Sequence, residues 1–319
     1  MSKQLSPSRR GVLRGIGSTA AVGALVGTAS TAAAATDWEP VETPVETNLH
    51  DVALTADGAY AVGGSGDVIA RTTDGWTRVL DGGPTGNGND LRGAAATDGG
   101  ERLWVVGSSG AIGEYDVTTD SLVDHSAPND VTNNFNAVSV EGTAGEANVY
   151  VAGDSGKIYY SFDNGATGTW DQVTPGSGSE VNAIDTYGPR SGHAVDGNKT
   201  VFETDDGGTY RKLGIADANV NFYGVDSDGE DAVYVSGGNG VVYEWNGSQW
   251  TRSKLGDASL RDVEAVGGEV YAVGDGGAVF SLADGVWGVE DTPTGANLNA
   301  FVRGVVDVAV GASGTVIER

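Results

Sequence analysis

The stretch from residue 260 to residue 289 constrains the fold of this chain more than any other feature. It reads LRDVEAVGGEVYAVGDGGAVFSLADGVWGV, so short apolar runs alternate with glycine-containing turns. These runs predict strands at 260–266, 270–273 and 278–282, and a fourth strand that carries Trp287. The chain after residue 36 repeats this unit with variations. Four short strands in each repeat of about 40 residues are typical of a β-propeller blade.

Seven copies of the unit can be aligned along the chain. Their opening strands begin at spacings of 42, 44, 46, 41, 38 and 38 residues, at Leu49, Leu91, Phe135, Val181, Phe222, Leu260 and Leu298. A glycine pair three residues apart recurs in every copy except the fourth, which has Asp196 and Lys199 there. A tight connection between antiparallel strands needs positive φ, so we interpret these glycines as turn geometry. A nucleotide-binding loop is excluded, because no helix follows the glycines.

The seventh copy stops before a fourth strand can form. The chain ends at Arg319, five residues after Gly314, whereas Trp38 to Val41 resembles the fourth strand around Trp287 and precedes the first opening strand. The sequence therefore predicts an all-β, seven-bladed β-propeller closed by the N-terminal strand, which pairs into the last blade. Such closure removes free sheet edges that would otherwise promote aggregation.

The first 35 residues have the features of a twin-arginine signal peptide. Arg9 and Arg10 precede a weakly apolar run and a cleavage-type sequence of small residues that ends at Ala35. The run contains several Gly, Ser and Thr, which makes a membrane anchor a poor alternative. We therefore expect two segments, a signal peptide at 1–35 and the propeller at 36–319, with export to the extracellular side by the twin-arginine route.

The charge of the chain excludes some partners. Four of its 18 basic residues and none of its 44 acidic residues lie in 1–35, which leaves 14 basic against 44 acidic and a net charge of −30. Nucleic-acid binding requires the opposite balance. The acidic residues are spread over all copies, which predicts a solvated acidic surface. This composition resembles that of secreted proteins from salt-loving archaea, where salt screens the self-repulsion.

Candidate metal and cofactor sites are few. The chain has no cysteine, which excludes disulfides. Its three histidines, His50, His125 and His193, have no neighbour at metal-ligand spacing, so no metal or other cofactor is expected. The acidic run from Asp226 to Asp231 could hold Ca²⁺ in a turn. However, no glutamate closes a twelve-residue loop, and a solvated acidic turn is the preferred interpretation.

The second residue of each opening strand defines the candidate binding site. The first strand of a propeller blade lines the central channel, so these seven positions are expected to form a ring near one mouth. All of them can form hydrogen bonds: His50, Arg92, Asn136, Asn182, Tyr223, Arg261 and Asn299. The ring could recognise a loop, a chain terminus or a glycan. Equally, it could satisfy backbone groups of the inner strands and hold channel water.

The first repeat, at residues 49–79, carries a family resemblance. Its opening strand, the sequence at Tyr60 to Gly63 and the corner at Thr73 to Trp76 resemble the propeller repeats of the photosystem II assembly and stability factor family, which is related to the Asp-box (BNR, sialidase-type) repeats. The Asp box itself is altered in this chain. Ser161 to Gly165 reaches Thr169 only after two extra residues. The resemblance implies a seven-bladed scaffold that docks protein partners and does not catalyse.

These observations lead to one functional hypothesis and one alternative. The hypothesis is a secreted, monomeric, non-enzymatic scaffold that binds a protein or cell-surface ligand at one channel mouth. The alternative is a glycan-active enzyme or lectin on the same fold. A sialidase-type enzyme needs an arginine cluster and a Tyr/Glu pair. Arg92, Arg261 and Arg303 could converge in the channel, although no arginine motif of that family is present.

Overall fold

The structure is a computed structural model that describes residues 37–319. The signal peptide predicted at 1–35 lies outside the described residues. Residues 37–319 form seven antiparallel sheets of four strands each, so the predicted all-β, seven-bladed propeller is confirmed. Within this range, no helix has the length and apolar character needed to cross a membrane.

The strands follow the predicted blade order. The first strand along the chain is β1 (Glu39–Val41). Blade 1 then contains β2 (Leu49–Thr55), β3 (Gly58–Gly63), β4 (Val68–Thr72) and β5 (Gly75–Leu80). Blade 2 contains β6 (Leu91–Ala96), β7 (Arg102–Gly107), β8 (Ile112–Asp116) and β9 (Ser121–Asp124). Blade 3 contains β10 (Phe135–Glu141), β11 (Asn148–Gly153), β12 (Ile158–Ser161) and β13 (Trp170–Val173).

The remaining blades repeat this order. Blade 4 contains β14 (Val181–Gly188), β15 (Ser191–Asp196), β16 (Val201–Thr204) and β17 (Arg211–Leu213). Blade 5 contains β18 (Phe222–Gly229), β19 (Ala232–Gly237), β20 (Val241–Trp245) and β21 (Trp250–Lys254). Blade 6 contains β22 (Leu260–Val266), β23 (Glu269–Gly274), β24 (Val279–Ala283) and β25 (Val286–Glu290). Blade 7 contains β26 (Leu298–Val302), β27 (Val308–Gly311), β28 (Val316–Glu318) and, as its fourth strand, β1.

All seven inner strands begin at the residues predicted from the repeat. Each inner strand contacts the inner strands of the two neighbouring blades, and β2 contacts β26, so the ring of blades is closed. Apolar side chains fill the space between neighbouring blades, for example around the fully buried Leu49 and Leu91. The core is therefore a series of clusters arranged around the channel.

The N-terminal strand closes the last blade as predicted. β1 pairs antiparallel with β28 in the register Glu39 to Glu318 and Val41 to Val316. Next to this strand, the Trp38 indole is only 4 % exposed and donates a 2.7 Å hydrogen bond to Glu290 of blade 6. The N-terminal segment thus links blade 7 to blade 6.

The glycine pairs have two different roles, and the expectation that both need positive φ is wrong for the first glycine. Gly66 and Gly110, the second of their pairs, both have a φ of +75°. Gly107, a first glycine, has an extended φ of −174°, which any residue can adopt. A Cβ on Gly107 would lie 1.9 Å from the carbonyl oxygen of Asp90. At Gly107, glycine is required because the start of the inner strand approaches its backbone closely.

Three acidic residues, Asp51, Asp226 and Asp262, are buried between blades, which corrects for them the expectation of a solvated acidic surface. Their carboxylates accept hydrogen bonds from backbone amides of the next blade. The pairs are Asp51 with Ala94 (2.8 Å), Asp226 with Ala265 (3.0 Å) and Asp262 with Phe301 (3.0 Å). The half-buried Asp185 makes the same contact with Ser227 at 2.8 Å. Hydrogen bonding is what permits a carboxylate to be buried. These acids connect neighbouring blades.

The acidic run that starts at Asp226 is a solvated turn only at its end, where Glu230 and Asp231 are exposed. Asp226 and Ser227 are buried in β18, and the strand continues to Gly229. Among residues 37–319 there is no group of three or more His, Cys, Asp or Glu side chains that could hold a metal ion.

Candidate functional site at the channel mouth

The ring residues all occupy the same structural position, a β-bulge. In every blade the pairing of the inner strand with the second strand skips one residue, the second of the inner strand. The skipped residues are His50, Arg92, Asn136, Asn182, Tyr223, Arg261 and Asn299. A bulge leaves its extra residue out of the ladder and redirects its side chain. The repeat therefore presents one polar side chain per blade at the start of the inner strand.

These seven side chains lie at one mouth of the channel, and all of them are partly exposed. The connections from the second to the third strand of each blade lie at the same end, because the first residue of β2, Leu49, pairs with Gly63 at the end of β3. We call this end of the molecule the ring face. The turns between first and second strands lie at the opposite end, which we call the far face.

Three of the ring residues are asparagines that connect blades. Asn182 Nδ2 donates to the carbonyl oxygen of Phe222 at 2.7 Å, and Asn299 Nδ2 donates to that of Leu49 at 2.7 Å. Asn136 Nδ2 makes the equivalent contact with the carbonyl of Val181 at 3.3 Å. Each acceptor is the first residue of the next inner strand. At these three positions, the ring side chains satisfy backbone carbonyl groups of the inner strands, which is one of the two interpretations of the ring.

His50 and Arg92 occupy adjacent positions on blades 1 and 2. Arg92 Nη1 donates to Asn136 Oδ1 at 3.0 Å and lies 3.9 Å from Asp154 Oδ2. Burial lowers the pKa of His50, Asp90 opposes this shift and the Arg92 charge adds to it. The pair therefore offers a guanidinium with about a third of its side chain exposed, beside a His50 imidazole that favours the neutral form.

Tyr223 and Arg261 form a second pair, on blades 5 and 6. The guanidinium carbon of Arg261 lies 4.9 Å from the centroid of the Tyr223 ring, which is a cation–π arrangement. Arg261 also makes a two-point ion pair with Asp275, with Nε 2.9 Å from Oδ1 and Nη2 3.2 Å from Oδ2. Its side chain is still 38 % exposed. Blades 5 and 6 lie across the channel from blades 1 and 2, so two cation-bearing pairs flank the mouth.

A further set of residues on the ring face was missed by the sequence reasoning. In four copies, the residue just before the inner strand is an Asn or Asp whose side-chain oxygen accepts a backbone amide from the connection in the preceding blade. The pairs are Asn48 with Ser313 (3.0 Å), Asp90 with Ser65 (3.0 Å), Asn134 with Ser109 (3.1 Å) and Asn297 with Gly276 (2.9 Å). The recurrence of Asn or Asp directly before the opening Leu or Phe is the sequence pattern that could have predicted this contact.

The three arginines that could have formed a carboxylate-binding cluster do not come together. Arg92 and Arg261 are second residues of inner strands and lie on the ring face. Arg303 follows the last residue of β26 and therefore lies at the opposite end of the channel, where it pairs with Glu269 and with the Tyr271 hydroxyl. Convergence of these three guanidinium groups in the channel is contradicted.

The comparisons with known proteins bear on the fold. No protein-family model and no curated protein matches the chain. Among solved structures, the chain is similar to virginiamycin B lyase from Staphylococcus aureus, with a TM-score of 0.72, 12 % identity and coverage of 88 % of this chain and 97 % of that one.

It is also similar to YCF48 from Cyanidioschyzon merolae (TM-score 0.69, 15 % identity, 88 % of this chain, 98 % of that one). A structure of YCF48 bound to D1 peptide matches as well (TM-score 0.69, 14 % identity, 88 % of this chain, 94 % of that one). At such identities a likeness shows the fold alone. The chain has the fold of β-propellers, among which are a lyase and a protein solved with a bound peptide.

Proposed function

We propose that this protein is a secreted, monomeric, non-enzymatic propeller scaffold that binds a protein or a cell-surface ligand at the ring face. One observation carries the proposal: seven bulges direct polar side chains to one channel mouth. Four of these side chains do not make the contact with a neighbouring backbone carbonyl that the three asparagines make. These four are His50, Arg92, Tyr223 and Arg261. Arginine and tyrosine are enriched among residues that dominate binding energy at protein interfaces.

The similar structures support a peptide-like ligand. YCF48 has been solved with a bound peptide, and it shares the fold of this chain over most of its length. Two guanidinium groups, on Arg92 and Arg261, suit a loop or terminus that carries carboxylates, since guanidinium recognises carboxylate with directed hydrogen bonds. We infer that the ligand is an acidic or C-terminal segment of a protein.

The alternative remains a glycan-active enzyme or lectin. Its support is that one similar structure is a lyase. The arrangement of the arginines favours the scaffold, because Arg303 lies at the other end of the channel from Arg92 and Arg261. A sialidase-type site would need these charges around one sugar carboxylate.

Replacement of Arg92 and Arg261 by alanine is expected to abolish capture of the partner. The protein, immobilised at its C-terminus, would be exposed to extracellular and surface proteins of its host in native salt, and bound proteins would be identified by cross-linking and mass spectrometry. Arg190→Ala is the matched control, because Arg190 is an exposed far-face arginine over the Phe162 ring. Equal capture by all three proteins would contradict the ring-face proposal. Binding of glycans in place of proteins would favour the alternative.

Export can be tested separately. Replacement of both Arg9 and Arg10 by lysine is expected to leave full-length precursor in the cytoplasm, because the twin-arginine pair is the motif that this route reads. Fractionation followed by mass spectrometry of the mature N-terminus, expected near residue 36, measures the outcome. Arg14→Lys, which keeps the pair, is the control. Normal secretion of the double variant would contradict the proposed route.

A further inference from the structure

A second concave site lies on the far face, in the cleft between blades 5 and 6. It has a volume of about 320 Å³ and is lined by residues of both blades. One wall is polar and consists of side chains from blade 5, namely Tyr234, Glu244, Thr251 and Ser253. The facing wall is apolar and comes from blade 6, namely Ala265, Val270, Leu282 and Trp287. The volume is at the lower end of the range for small-molecule sites, roughly 300–1,000 Å³.

Each wall is a row of directly paired residues across its sheet. On blade 5, Tyr234 pairs with Glu244, and Glu244 pairs with Thr251. On blade 6, Val270 pairs with Leu282, and Leu282 pairs with Trp287. Paired residues share one face of a sheet. The cleft is therefore a defined feature of two facing sheets, with an acid at the centre of one row and an apolar side chain at the centre of the other.

Glu244 has three equivalents in other blades, and all have basic partners. Glu318 in blade 7 makes a two-point ion pair with Arg71 of blade 1, with oxygen–nitrogen distances of 2.9 and 3.0 Å. Glu114 in blade 2 lies 3.6 Å from Arg102 Nε and 3.2 Å from His125 Nε2. Glu203 in blade 4 makes a two-point ion pair with Arg211, with oxygen–nitrogen distances of 2.6 and 2.9 Å. Arg211 is the fourth-strand partner of Glu203 in the sheet register.

In blade 5 the position of Arg211 is occupied by Thr251. No ion pair with Glu244 is present among residues 37–319. The lining of the cleft contains no lysine, arginine or histidine. Blade 5 thus keeps the carboxylate of this position and lacks the internal cation that accompanies it in blades 2, 4 and 7.

Asp228 adds a second acidic group to the cleft. Its Oδ1 atom is buried and has no hydrogen-bond partner within the described range. Burial raises the pKa of Asp228 to about 7, and the neighbouring Asp185 charge contributes to the shift. A bound cation would compensate for this burial. Glu269, the third acid of the lining, is already paired with Arg303.

The apolar wall indicates what kind of cation fits. Leu282 and Trp287 pack with Tyr234 against the small cluster of Val263, Ala265 and Val270. An aliphatic chain can lie on this surface, and aromatic faces attract ammonium groups. Because residues 37–319 contain no group of side chains suited to a metal ion, an organic cation agrees better with the lining.

We propose that this cleft binds a primary ammonium group carried on a short aliphatic chain, as in a lysine side chain or a free diamine. The ammonium pairs with Glu244 in the place that Arg211 occupies beside Glu203, and the methylene groups lie against Leu282 and Trp287. The site is on the opposite face from the ring, so it is independent of the function proposed above.

Calorimetric titration of the full-length protein tests the proposal in about 1 M salt, where attraction between exposed charges is largely screened. The probes are Nα-acetyl-lysine amide, its Nε-acetylated neutral form, and cadaverine. We expect saturable binding of the lysine probe and none of the neutral form. Cadaverine distinguishes the source: tighter binding of cadaverine indicates a free diamine, and tighter binding of the lysine probe indicates a peptide side chain. Equal binding of the neutral form, or no saturable binding of either amine, would overturn the proposal.

Two variants locate the binding. Glu244→Gln is expected to weaken binding roughly 10- to 100-fold, the range for loss of a charged hydrogen-bond partner. Thr251→Arg supplies an internal cation as in blade 4, so it should abolish binding while thermal unfolding shows an intact fold. Thr77→Arg is the matched control, because Thr77 holds the same register position in blade 1 opposite Ala70. Unchanged binding in Thr251→Arg, or equal loss in Thr77→Arg, would overturn the assignment.

Discussion

Deletion of residues 36–46 is expected to destabilise the protein by at least about 3 kcal/mol, the lower end of the cost of truncating a buried tryptophan. The deletion removes β1, which pairs with β28, and Trp38, which contacts three parts of the structure. Its indole donates to Glu290, the Arg319 guanidinium lies 4.8 Å from the ring centroid, and the Phe301 ring packs edge-on at 6.1 Å. A loss of this size is a large share of the roughly 5–15 kcal/mol that stabilises a domain.

Thermal unfolding in molar salt and size-exclusion chromatography measure the effect. The truncated protein should melt at a lower temperature and self-associate through the exposed edge of β28. A synthetic peptide of residues 37–46 should restore the midpoint in trans, whereas a scrambled peptide should not. An unchanged midpoint and a monomeric elution profile after deletion would contradict closure by strand exchange.

Acidification from pH 7 to pH 4 is expected to cost the protein about 3 kcal/mol through His193 alone. His193 is fully buried, and its Nδ1 lies 2.7 Å from Ser227 Oγ. Burial lowers the pKa of His193 to about 4, with Glu203 opposing the shift. In the unfolded chain the imidazole of His193 takes up a proton near pH 6.5, whereas in the folded state it does so only near pH 4. The stabilisation of the folded state by neutral His193 is therefore fully present above pH 6.5, and it is lost as the pH falls to 4.

A double comparison isolates this effect. Relative to His193→Gln, the wild-type protein should lose its stability advantage between pH 6.5 and pH 4, as measured by denaturant unfolding at each pH. Asp228 acts in the opposite direction, because its raised pKa means that the folded state gains stability as the pH falls from about 7 towards 4. Asp228→Asn should therefore steepen the acid loss. A pH-independent difference between wild type and His193→Gln would contradict the assignment.

The propeller and its closure could be predicted from the sequence because they depend on local patterns that the repeat amplifies. The apolar start of each inner strand recurs seven times, so an ambiguous copy such as the fourth was placed by its neighbours. The N-terminal strand was predicted because Trp38 resembles Trp287 and blade 7 lacked a fourth strand. These are features that periodicity and strand count determine.

The details that depend on contacts between blades could not be predicted. The second residue of each inner strand was predicted to belong to a ring, and all seven occupy the same bulge position. However, neither the bulge nor the backbone role of Asn182 and Asn299 is visible in a single repeat. Asp226 was interpreted as solvated. Its carboxylate in fact accepts a hydrogen bond from the amide of Ala265, and this contact is visible only when the next blade is in place. The cleft beside Glu244 emerges only when the register places Thr251 where blade 4 has Arg211.

The pairing of β1 with β28 also determines the order in which this molecule can fold. β1 is the first strand of the propeller to leave the ribosome, and its partner is the last. Glu39 can pair with Glu318 only after Glu318 has been synthesised. This contact is among the most distant in sequence, and such contacts are slow to form. Until then, the outer edge of β28 in blade 7 has no strand partner. Blade 7 therefore cannot be completed by the strands that are synthesised together with it, because its fourth strand is the first strand of the propeller.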